Sequence, residues 1–184
     1  DVPVILHIAV NGHYDPVSPS FKNNGRGSTA LGGDAPDSNL GLVAMHNSAE
    51  LFLSAMIFDE VFERHNNLRC LSLEHGASWV PGWLHKLDFV ERSARHIAPR
   101  NHRASDVARE RVRFAPFAGE PVGWLIEQLG PEMLCFASDY PHPEGSSDPI
   151  RKFESTMEGV DPTAVEAFYA GNVERFLGDV PVTI

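Results

Sequence analysis

Short apolar runs alternate along this chain with stretches of helical spacing. "PVILHIAV" (residues 3–10) is a continuous apolar run of the kind that forms a strand buried on both faces. About thirty residues rich in Gly, Asn, Ser, Pro and Asp follow, from 11 to 40, a length that marks a functional or disordered loop. From Asn47 or Ser48, both suited to an N-cap, "AELFLSAMIFDEVFERH" predicts a helix with Leu51, Ala55, Phe58 and Phe62 on its apolar stripe, widened by Met56 and Val61. "RCLSLEHG" (69–76) reads as a second buried strand, and "VPGWLHKLDFVERSARH" as a helix with Leu84, Leu87 and Val90 on one side. "RVRFAPF" is a third strand limited by Pro116, "PVGWLIEQLG" a short helix closed by Gly130, and "EMLCFASD" a fourth strand. "DPIRKFESTMEG" and "DPTAVEAFYAGNVERFLG" open on Asp-Pro and complete the set as helices.

Four strand-then-helix units in succession predict parallel strands with crossover helices, an α/β fold. They amount to half of an eight-stranded barrel or to a small open sheet, and the pattern by itself serves both. No repeat, low-complexity tract or linker divides the chain, so residues 1–184 are expected to form a single domain.

Composition narrows the partners. The chain has 184 residues, 42% of them hydrophobic and 22% charged, ordinary values for a soluble globular protein. A net charge of −10 and a pI near 5.3 disfavour nucleic acid and anionic membranes, which need a basic face, and leave small molecules as the expected substrates. No apolar run approaches the roughly 18 to 20 residues of a membrane span, and "DVPVILHIAV" lacks the basic flank of a signal peptide, so a cytoplasmic location is expected. Cys70 and Cys135 sit singly in apolar runs, as small buried thiols do in a reducing compartment.

Candidate chemistry gathers at strand ends. "PVILH" ends at His7, "LSLEH" at His75 and "LCFASD" at Asp139, and in a parallel α/β architecture those ends lie on one face where ligands collect. Strict alternation puts His75 on a face with Leu73 and Leu71, puts Glu74 on the other with Ser72, and aligns Asp139 with Ala137 and Cys135. Imidazoles and a carboxylate together suit zinc, manganese or iron, although each residue taken singly also suits a hydrogen-bonded strand end. His142 follows in the turn as a substrate-contacting group or a plain turn residue. His13 and Asp15 belong to the first loop, and Trp79 and Trp83 either wall a pocket or pack beside it. No Gly-x-Ser-x-Gly elbow and no Cys–His pairing point to covalent catalysis. "GRGSTALGGD" lacks the Lys-Ser/Thr of a phosphate-binding loop.

The segments "FASDYPHPEG", "LEHGASWVP", "VFERHNNLRCLSLEHG" and "FYAGNVERFLG" resemble the C-terminal part of the amidohydrolase superfamily, in the branch of aminocarboxymuconate-semialdehyde decarboxylase. That resemblance implies strands five to eight, with their helices, of a TIM-like (β/α)8 barrel holding a divalent metal, most often zinc. It casts His7 and Asp139 as metal ligands and His75 and Asp139 as the acid/base pair around a metal-bound water, while Trp79 and His142, from their places past the strand ends, are the candidates for substrate binding. Arg92, Arg95 and Arg100 are its candidates for holding a substrate carboxylate. The implied activity is decarboxylation or hydrolysis of a small carboxylated or aromatic-derived metabolite; a non-catalytic half-barrel binding module is the alternative. The family's first-strand His-x-His or Glu-x-His pair has no counterpart here. The N-terminal half of the barrel is therefore expected as a missing partner, together with self-association through open edges, and these residues alone are expected to be inactive.

Overall fold

The computed structural model describes residues 3–7, 39–142 and 145–178. Three parallel strands, β1 (Val4–His7), β2 (Cys70–Leu73) and β3 (Val112–Phe114), lie side by side in chain order. Val4 faces Cys70 and His7 faces Leu73, so β1 and β2 end level at a common rim. Between β1 and β2 come α1 (Asn39–Ala44), α2 (Asn47–Phe58) and α3 (Val61–Arg64). Between β2 and β3 come α4 (Val80–Ala94) and α5 (Ala104–Arg111). After β3 follow α6 (Val122–Leu129), α7 (Pro149–Glu154), α8 (Pro162–Glu166), a π-helical turn at Ala167–Gly171, and α9 (Asn172–Leu177).

The expected fourth strand is a single parallel bridge, Phe114 to Leu134. Its ladder starts properly, with Phe114 N donating to Met133 O at 2.9 Å and Cys135 N to Phe114 O at 2.9 Å. The next groups are then taken elsewhere. Phe136 N donates to Phe168 O in the π turn at 2.9 Å, and the buried Asn172 amide donates to Pro131 O and Leu134 O at 2.6 and 2.7 Å. The backbone is satisfied without a long ladder, which explains an apolar run that is not an extended strand.

Two helical predictions are corrected. The stripe on α2 is Ala49, Leu53 and Ile57, all buried, whereas Leu51 is 67% exposed. A left-handed Glu60, φ 55°, also ends α2 and sets α3 off at a new angle. Residues 40–58 are, against expectation, long and apolar enough to span a membrane by length and composition, yet Leu53 and Ile57 within them belong to the core. α5 arises where no helix is expected. Its first turn is capped from α4, where Glu91 accepts Ala104 N at 2.7 Å and Asp88 accepts Ser105 N at 3.3 Å and pairs with Arg103.

The core lies between the sheet and this helical layer. Cys70, Val112, Phe114 and Leu134 face Trp83, Leu87, Val107 and Leu125, all buried. On the other face a smaller cluster of Leu71 and Cys135 closes over Phe176 of α9.

Candidate functional site

At the level rim, His7 closes β1, Glu74 follows β2 and Asp139 ends the run after Leu134. His7 Nε2 lies 3.0 Å from Glu74 Oε1. Glu74, Asp139 and His142 each offer a ligand atom within 4.8 Å of the others, and His142 Nδ1 is 3.9 Å from Asp139 Oδ1. The sequence places Glu74 on the far face of β2 by alternation. That alternation stops at Leu73, because Glu74 adopts a left-handed φ of 58° and Gly76 one of 64°. The kink brings Glu74 across to His7 and Asp139 and carries His75 back over Ser72. A left-handed non-glycine residue is unfavourable unless its surroundings hold it, and Asp139, φ 52°, repeats the feature directly opposite.

The Asp139 corner is tied by its own backbone. His142 N donates to Asp139 O at 2.9 Å, and Gly145 N to His142 O at 3.0 Å. A Cβ on Gly145 would stand 2.2 Å from Asp139 O, so only glycine lets the returning chain press so close.

Two carboxylates at short range need something positive between them. Burial raises the pKa of Glu74, the nearby His7 draws it back, and Asp139 raises it further by repulsion and by sharing a proton. Asp139 Oδ2 is buried and meets no hydrogen-bond donor among the described residues. Oxygen, oxygen and imidazole nitrogen around a buried acceptor fit a divalent cation of the zinc, manganese or iron class, and an ion would relieve the repulsion and the orphaned oxygen together.

His75 stands behind this cluster, 5% exposed, with Nδ1 2.9 Å from Ser72 Oγ. Burial first, then the proximity of His7 and His46, lowers its pKa to about 4, so its imidazole is neutral at pH 7. Trp79, expected to touch substrate, braces the His75 turn. Its indole N–H is 3.1 Å from both His75 O and Gly76 O, and its ring stacks on His46 with centroids 5.2 Å apart. His142, held open between turn and substrate roles, lies in the cluster with Glu74 and Asp139.

A cavity of about 160 Å³ opens beside the acids, walled by Leu73, Pro116, Phe117 and Ala137 with Glu74 and Asp139 at its polar end. The candidate arginines lie elsewhere. Arg100 is buried against Glu63 and Ile57 O, and Arg92 and Arg95 sit at the far end of α4, which begins beside the rim and leads away from it. His13 and Asp15 lie outside the described residues. Glu74 is the residue that alternation hides; the signal available was Gly76, a residue that permits a kink two positions on.

The profile of the amidohydrolase family matches residues 1–178. No curated protein sequence matches. Among solved structures, an amidohydrolase from Mycobacterium avium subsp. paratuberculosis superposes with a TM-score of 0.74 at 22% identity, over 96% of this chain and 42% of its own. The 5-carboxyvanillate decarboxylase LigW from Sphingomonas paucimobilis gives 0.58 at 23% identity, over 77% of this chain and 42% of its own. A dihydroxybenzoic acid decarboxylase from Polaromonas, solved with manganese and the inhibitor 2-nitroresorcinol, gives 0.58 at 16% identity, over 73% and 41%. The chain thus spans less than half the length of these proteins.

Proposed function

Because the chain belongs to the amidohydrolase family, we propose that its rim of acids and imidazoles is part of the metal centre of a hydrolase or carboxy-lyase, completed by the rest of a (β/α)8 barrel. In this reading the described strands are the barrel's C-terminal ones. The observation that carries the reading is the convergence of Glu74, Asp139 and His142 within 4.8 Å around a buried carboxylate oxygen with no donor among the described residues.

Asp139, Glu74 and His142 would hold the ion with His7 at their edge, and residues outside this chain would supply further ligands. A divalent ion there contributes Lewis acidity and acidifies water. The chain's own residues supply proton traffic. His75, buried and neutral at pH 7, is a hydrogen-bond partner and a weak base, with a pKa lowered to about 4, that takes up a proton only in passing. Glu74 gives up its proton when it holds the ion, since a ligating carboxylate is deprotonated. Proton passage through His75 would serve either proton removal from water in hydrolysis or proton delivery to carbon as carbon dioxide leaves. The cavity's size and its proline and phenylalanine walls suit a single aromatic ring. Two of the structural neighbours are decarboxylases of such acids by name, which makes decarboxylation of a small aromatic acid the first reaction to test.

The test is metal content by elemental analysis of the protein carrying its whole barrel, beside Asp139→Ala. About one divalent ion per chain, lost in the variant, supports the reading. A parent without metal, or a variant that keeps it, overturns it in favour of a half-barrel that binds without catalysing.

A further inference from the structure

We propose that Glu120 is the positioning residue of this site: its carboxylate fastens the turn that carries Glu74 and His75 to the loop that walls the cavity. The β2 ladder ends at Leu73, and Glu74 and Gly76 then take left-handed conformations. Bonds from outside the ladder must hold such a kink. Glu120 Oε1 accepts Ser78 N at 2.7 Å and Ala77 N at 3.1 Å. Its Oε2 accepts Ala77 N at 3.0 Å and Phe117 N at 2.6 Å. One side chain thus binds three amides in two loops distant in sequence, 77–78 after β2 and 117 after β3.

The fit extends to the glycine between. A Cβ on Gly76 would meet Phe117 Cδ2 at 3.0 Å and the Glu120 oxygens at 3.1 and 3.2 Å, so the carboxylate lies directly against the kinked backbone. Ala77 and Ser78 lead through the N-cap Trp79 into α4, so the carboxylate lies close to a helix N-terminus, whose dipole favours negative charge. Glu120 is not among the cavity-lining residues, whereas its clients Glu74 and Phe117 are. Its effect on chemistry therefore runs through where those residues stand. This inference rests on the proposed function only in giving Glu74 a metal to hold.

Glu120→Ala and Glu120→Gln, made in the protein with its whole barrel, test it by amide hydrogen exchange, the Trp79 indole resonance and Mn2+ affinity by electron paramagnetic resonance. In Glu120→Ala, exchange at Ala77, Ser78 and Phe117 should accelerate about tenfold or more, the indole signal should shift, and the Mn2+ dissociation constant should rise about tenfold. Glu120→Gln, which keeps one acceptor oxygen but sets an NH2 against the amides bound by the other, should show a smaller change than the alanine variant and carries the same readouts should the latter not fold. Wild-type exchange at the three amides overturns the proposal, as does faster exchange with Mn2+ affinity unchanged. A parent that binds no Mn2+ defeats the metal reading instead, and Glu120 is then decided by exchange and the indole resonance alone.

Discussion

On the face of the sheet turned to the helices, Cys70, Val112, Phe114 and Leu134 vanish beneath Trp83, Leu87 and Leu125. On the opposite face Leu73, Ala115 and Ala137 border open space beneath two acids. The same strands are thus sealed beneath helices on one side and border a cavity at the rim on the other. At the β1 edge even Val4 and Ile5 stay 38% and 53% exposed. The difference assigns stability to the helix side and chemistry to the rim side. Replacing Phe114, which meets Trp79 and Trp83 edge-on at 5.5 and 6.0 Å, with alanine should cost about 3 to 5 kcal/mol by denaturant unfolding. Leu73→Ala, at a half-buried position beside the cavity, should cost less than half of that. Equal losses would erase the distinction between the faces.

The next effect tests whether the rim is as dry as the helix side. His75 refuses a proton in the folded protein until about pH 4, while the unfolded chain takes one below its ordinary 6.5. The folded state is therefore at full advantage above pH 6.5 and loses it as pH falls toward 4, by on the order of 3 kcal/mol in all. His75→Gln should flatten that part of the stability profile. An equally steep decline in the variant would place the acid sensitivity outside His75.

Much of this arrangement is legible in the sequence, and its limits have identifiable causes. The β2, β3, α4 and α6 segments stand where their apolar runs and closing glycine place them, while at the rim Glu74, and not His75, joins His7 and Asp139. The α2 stripe is misread because that helix is apolar nearly all round, so spacing offers several faces and only the sheet selects Ala49, Leu53 and Ile57. α5 hides because its caps, Asp88 and Glu91, belong to another helix. Glu74 hides for a backbone reason. Alternation holds only while φ stays extended, and a left-handed residue exchanges the faces of everything after it. The fourth strand is shortened by Asn172 and the π turn, partners that lie over thirty residues downstream.

The smallest predicted effect lies on the boundary between the two faces. Ser72 shares its face of β2 with Cys70 and is wholly buried, yet its hydroxyl is bonded to His75 at the rim. Removing that oxygen leaves an imidazole nitrogen buried without its partner, at a cost of about 1 to 2 kcal/mol for Ser72→Ala at pH 7. Ser72→Ala combined with His75→Gln should cost less than the sum of the two, since each deletion already removes the shared bond. Strict additivity would mean that the hydroxyl and the imidazole do not depend on one another, and the packed face would then end at Ser72 with no mechanical hold on the residue that faces the chemistry.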